Sequence, residues 1–167
     1  METTNRREAA AEPSRAAPPG PGAAFLLAQL GSYAAARFTE RVAELDLLPA
    51  QTGLLRAVAA SPGQSQQALA QLLGTPPSRL VALVDALEDR GIMERRRNPD
   101  DRRLHALHLT DDGQQLLRRI GEVARAHNDA ICRALDPTER DQLRVLLTRI
   151  ADDHGLAPGV HPGYRNL

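Results

Sequence analysis

The sequence predicts a mainly helical fold of the α+β type, with about six helices and one β-hairpin between the fourth and the fifth. Three observations predict it. Apolar residues recur at spacings of three and four through most of the chain, as in helices that bury one face. That period gives way to a different pattern only between Ile92 and Leu109, where two short runs flank the turn cluster Asn98-Pro99-Asp100-Asp101. Proline and glycine punctuate the periodic segments rather than interrupting them. The 167 residues suit one domain, or a small domain with appended helices.

Residues 1–22 are rich in Ala, Pro, Arg, Glu and Gly and lack the apolar run of a signal peptide, so a disordered tail is expected. The first helix is expected from Ala23 to about Leu45, inside a segment 23–48. Leu26, Leu27, Leu30, Tyr33, Phe38 and Val42 form its stripe. Pro49 suits a first helical turn and opens a second helix to about Ala60, which Ser61-Pro62-Gly63 breaks. Ser65 caps a short third helix with Leu69, Leu72 and Leu73 inward, and Gly74 ends it. The fourth helix is expected to take Thr75 as its N-cap and Pro76 as its first residue, and to stop at Gly91. A strand over 92–97 and another over 104–109 make the hairpin. Thr110 then caps a fifth helix to about Leu135. Asp136-Pro137-Thr138-Glu139 opens a sixth with a capping box, and this helix runs to about His154. The organisation read from this order is 49–110 as one unit, 111–155 as C-terminal helices and 156–167 as an irregular end.

Three short helices followed by a hairpin, with a short Gly-containing turn before the third, is the order of a winged helix-turn-helix. In that motif the second helix of the pair enters the major groove of double-stranded DNA with its N-terminal residues foremost. Here those residues are Thr75, Pro77, Ser78 and Arg79, and Arg79 can address guanine bidentately. The N-terminus of the third helix, Ser65 and Gln66, offers free backbone amides to a phosphate.

Charge placement agrees with this, although 21 Lys+Arg against 21 Asp+Glu leave no net charge. No acidic residue occurs from Leu47 to Val84, while Arg56 and Arg79 do. From Arg95 to Arg103, the arginines Arg95, Arg96, Arg97, Arg102 and Arg103 stand against only Asp100 and Asp101. A polyanion therefore has a cationic face to meet. All 21 cations are arginine, which suits bidentate and minor-groove contacts. Aromatics make up 2% of the chain, which argues against single-strand modules that stack bases on rings.

The residues resemble the MarR family of bacterial transcription regulators from about Leu26 to Gly155. Leu45-Asp46-Leu47-Leu48-Pro49-Ala50-Gln51 resembles the family's first helix junction. Leu69 to Gly74 followed by Leu83 to Gly91 resembles its helix pair. Asp100-Asp101-Arg102-Arg103, with Leu109-Thr110-Asp111-Asp112-Gly113 after it, resembles its wing signature. The resemblance implies that Arg103 enters the minor groove and that Asp101 supports the wing, with Arg102 and Arg95 to Arg97 on the DNA backbone. It implies a homodimer joined by the terminal helices, a palindromic operator with half-sites roughly 10 bp apart, and repression relieved by a small, often aromatic and acidic, effector. Tyr33, Arg37 and Thr52 are the candidate polar groups for that effector, with packing or a dimer contact as the other reading of Tyr33 and Arg37.

Neither a cofactor nor a metal is expected, since His105 and His108 lie on opposite faces of one strand and no ligand cluster has chelating spacing. Cys132 alone allows no intrachain disulfide and reads as a small packing residue. No catalytic arrangement stands out, so an enzyme is not expected. No membrane span is present, and a cytoplasmic location is expected. The alternative from another class is a protein-interaction module of winged-helix shape that does not bind DNA specifically; the arginine-rich hairpin argues against it.

Overall fold

The computed structural model describes residues 20–97 and 105–161. The expected tail up to residue 19, the turn cluster with Asp101, Arg102 and Arg103, and Tyr164 lie outside the described residues. The elements follow the chain as α1 (Ala23–Ala43), α2 (Pro49–Ala60), α3 (Gln66–Leu73), α4 (Pro77–Glu88), β1 (Met93–Arg97), β2 (His105–Leu109), α5 (Asp111–Ile131) and α6 (Pro137–Asp153).

The core is aliphatic and lies where α2, α3, α4, the hairpin and the first half of α5 meet. Leu54, Leu55, Leu69, Leu80, Leu87 and Leu107 are fully buried there, and Val42 and Ile120 bring α1 and α5 onto it. Burying a side chain of this size contributes about 1.5–3 kcal/mol. Only Val42 of α1 is buried, and α6 buries none of its residues in its own chain.

Local chemistry sets the boundaries. α1 ends at Ala43 instead of Leu45, because Asp46 takes a left-handed φ of 53°. That conformation is tolerated best by Gly, Asn and Asp. Arg90, just past α4, donates to the Asp46 carbonyl at 2.6 Å and so ties the far end of the helix pair to this corner. Gln51 folds back to accept the Leu48 N–H at 2.9 Å, one half of a capping box; Leu48 has no side-chain acceptor to supply the other half. At α6 both halves are present: Glu139 N–H donates to Asp136 and Asp136 N–H donates to Glu139, each at 2.9 Å.

Two expectations are corrected here. The N-cap of α4 is Pro76, not Thr75, and its first residue is Pro77. A residue that precedes proline is pushed out of the helical region, so the tandem Pro76-Pro77 delays the helix by one position. α5 stops at Ile131, four residues short of Leu135, and the chain turns through Cys132 to Leu135 toward the strong helix start at Asp136.

β1 and β2 pair antiparallel, with Met93 opposite Leu109 and Arg97 opposite His105. A third segment, which the sequence did not suggest, completes the sheet. Ser65 bridges Ala106, Gly63 N–H donates to the Leu107 carbonyl at 3.1 Å, and Leu107 N–H donates to the Gln64 carbonyl at 3.1 Å. β2 is therefore paired along both edges, and its Ala106 and Leu107 are both buried.

Candidate nucleic-acid interface

The helix pair is built by its turn. α3 ends on Gly74 in the left-handed conformation at φ 63°, whose N–H bonds the carbonyls of the preceding turn. Thr75 N–H then reaches back to the Ala70 carbonyl at 3.0 Å. This is the geometry by which a C-terminal glycine closes a helix and redirects the chain. Thr75 is held inside the corner at 7% exposure, so it is a structural residue of the turn and not a surface for DNA. Pro77 and Ser78, one turn further, are exposed, and Arg79 is half-buried. α4 thus presents its first turn outward while Leu80, Val84 and Leu87 hold it to the core.

Ser65 is the N-cap of α3 and accepts the Ala68 N–H at 3.2 Å, as expected for this residue type. One amide of that helix end is therefore already bound. The Gln66 side-chain nitrogen is buried without a hydrogen-bond partner, as is the Gln64 side-chain oxygen, so Gln66 does not offer that nitrogen at the surface.

The arginines of β1 divide into different environments. Arg97 is exposed. Arg96 is exposed and paired along its own strand, donating from Nε to Glu94 at 2.9 Å. Arg95 points the other way. Its guanidinium binds Asp85 and Glu88 of α4, and its backbone N–H donates to the same Glu88 carboxylate at 3.1 Å. Burial disfavours its charge, but the two carboxylates outweigh that and raise its pKa further. Where the sequence reading sets Arg95 on the DNA backbone, the chain alone turns its guanidinium to α4. Sequence reasoning missed Asp85 and Glu88, whose only signal was their three-residue spacing on one face of a helix otherwise free of acid up to Val84.

Of the residues suggested for an effector, two meet on α1 and the third is turned inward on α2. Tyr33 and Arg37 are neighbours on exposed α1, with the guanidinium carbon 5.4 Å from the ring centre and Arg37 also paired to Glu40 at 2.6 Å. Thr52 is buried at 2% exposure and donates to the Pro49 carbonyl at 2.7 Å, so its hydroxyl is used within α2. Two clefts lie elsewhere on the described surface. A cleft of about 470 Å³ is lined by Arg96, His108 and Arg118, and one of about 440 Å³ by Phe38 and Arg56; both include Ala59 and Leu117.

Among the described residues no group of His, Cys, Asp and Glu could hold a metal ion, and no helix is long and apolar enough to cross a membrane.

A three-helix core with a helix-turn-helix and a β-hairpin defines the winged-helix class. Within it, residues 45–104 match the model of the MarR family. The chain is 37% identical to the transcriptional repressor CouR, solved bound to a 23-mer DNA duplex; the match covers 77% of this chain and 92% of that one, with a TM-score of 0.68. It has the same fold as wild-type MarR from E. coli, at 21% identity and a TM-score of 0.70 over 78% of this chain and 96% of that one. It is 36% identical over 102 residues to a putative transcriptional regulatory protein for the hcr operon of Thauera aromatica. That match spans 61% of each chain, so the present chain covers about three fifths of that curated relative. The protein belongs to the MarR family.

Proposed function

We propose that the protein is a homodimeric, DNA-binding transcriptional regulator that represses from a palindromic operator and is released by a small anionic ligand. One observation carries the DNA half. The first turn of α4, with Pro77 and Ser78 exposed, lies in the acid-free stretch and is followed by an arginine-bearing strand, on the fold of a repressor solved on DNA. Ser78 and Arg79 read base edges. Arg96, Arg97 and Arg102 neutralise phosphates, and Arg103, by its match to the family wing, enters the minor groove beside Asp101.

The dimer rests on apolar surface that the chain leaves uncovered. Phe25, Leu26, Leu27 and Leu30 on α1 and Leu143, Leu146, Leu147 and Ile150 on α6 are all exposed. Stripes of this kind on terminal helices mark a protein interface. The ligand rests on the two clefts described above, which combine arginines with an apolar floor and lie between α1, α2, α5 and β2. Occupancy that favours one spacing of the two recognition helices shifts the population away from the DNA-bound dimer.

Selection from a pool of random duplexes tests the reading. The expected result is enrichment of a palindrome with half-sites roughly 10 bp apart. Retention without any enriched sequence would contradict specific binding, and no retention at all would favour the protein-interaction module.

A further inference from the structure

The paired carboxylates of α4 pose a physical problem for a helix that meets DNA. By helical spacing Asp85 and Glu88 continue the face that begins at Ser78 and Ala82, so their charge lies along the side of α4 that the proposed reading turns toward phosphates. Left bare, two negative charges there would oppose binding. Arg95 answers both. It comes from the next element, is only 21% exposed at its side chain, and sets one guanidinium against both carboxylates while its own N–H occupies the second oxygen of Glu88. The contact also joins two elements that each carry candidate DNA residues: α4 with Ser78 and Arg79, and β1, after which the chain carries Arg102 and Arg103.

We infer that Arg95 is a positioning residue for DNA binding: through Asp85 and Glu88 it locks the base of the wing to the recognition helix and masks that helix's acidic face, and it contacts no phosphate itself. The inference rests on the DNA-binding reading above. It assigns the three residues a joint role, so their substitutions are non-additive. Partly exposed ion pairs contribute little to global stability, so the clamp acts on the relative aim of two rigid elements more than on folding.

The sign of one substitution separates this from the simpler reading. Removing negative charge from a DNA-binding surface normally strengthens binding, and would do so here if freeing Arg95 let it reach a phosphate. The clamp predicts the opposite. The experiment measures operator affinity by fluorescence anisotropy, on a duplex recovered by selection with the wild-type protein, for wild type, Asp85→Asn/Glu88→Gln, Arg95→Ala and the triple variant. The amide that Glu88→Gln introduces keeps an oxygen for the Arg95 N–H, so the double variant preserves the strand while losing the ion pairs. The expected result is about tenfold weaker binding by the double variant, with the triple variant no weaker than Arg95→Ala and denaturation midpoints little changed. Unchanged or tighter binding by the double variant would overturn the clamp while leaving the DNA-binding reading intact. A wild-type chain that binds no duplex would overturn that reading, and the clamp with it.

Discussion

A side chain at Gly113 would place its Cβ 2.0 Å from the carbonyl oxygen of Ile92, well inside any allowed contact. The first turn of α5 therefore lies directly on the backbone that enters β1. Thr110 completes the junction: it caps α5 by accepting the Gly113 N–H at 3.1 Å and donates its hydroxyl to the Gly91 carbonyl at 2.6 Å. The Leu-Thr-x-x-Gly run is the chemistry of a joint between the hairpin and the long helix, with a cap at one position and a missing Cβ at the other.

Substitution of two glycines on α5 should give opposite results. Gly113→Ala must push the helix off the strand and is expected to cost about 3 kcal/mol, as overpacking against backbone does. At Gly121 the nearest neighbour of an added Cβ is the flexible end of Arg125 at 3.6 Å. Gly121→Ala is expected to stabilise by about 0.5–1 kcal/mol through helix propensity. Urea denaturation of the two variants compares them; equal midpoints would refute the close approach.

Stability should fall in mild acid through His127. Its ring packs on Phe38 of α1 at 5.5 Å between centroids, and its Nδ1 is buried without a partner. Burial, with Arg41 adding to it, holds its pKa below the ordinary value. A histidine that resists protonation in the folded state leaves the unfolded chain binding more protons below about pH 6.5. Its contribution is complete above that pH and is lost as pH falls through the lowered folded value. His127→Phe is expected to flatten the fall in thermal midpoint between roughly pH 7 and pH 5 relative to wild type; parallel curves would exclude the residue as a source.

The exposed apolar stripe of α6 gives a prediction about assembly. Leu146 is 54% exposed within one chain, so replacing it with Asp should leave the winged-helix core intact. The expected outcome is a shift in light scattering from twice the chain mass to the chain mass, with the circular dichroism of the folded protein retained. A variant that stays dimeric would remove this face of α6 from the interface.

Arg79→Ala is expected to relax sequence preference at one position of each half-site, at a cost of about 1–3 kcal/mol on the preferred sequence. Binding to a panel of single-base operator variants checks it. A uniform loss across the panel would assign Arg79 to phosphate.

Features set by neighbouring residues were legible in the sequence. Gly74 as a left-handed stop, Ser65 and Thr110 as N-caps and the reciprocal Asp136–Glu139 pair each depend on residues within one turn. The arginine content of the hairpin was legible as well, but not the direction each arginine takes. Arg95 finds its partners seven and ten positions earlier, and only the packing of α4 beside β1 brings them together. Threonine is a common N-cap, which is why the sequence points to Thr75 there; two successive prolines move the helix start and leave it inside the corner. The Ser65–Ala106 bridge joins residues from separate elements and has no local signal.

Specific recognition of DNA is tested at its root by the salt dependence of wild-type binding to the selected palindromic duplex. The logarithm of the affinity is expected to fall steeply and linearly with the logarithm of salt concentration, with a slope of about −0.9 per phosphate neutralised and several phosphates engaged. A scrambled duplex is expected to bind at least roughly a hundredfold more weakly at physiological salt. A flat dependence, or equal affinity for both duplexes, would contradict specific binding through the arginine-bearing face.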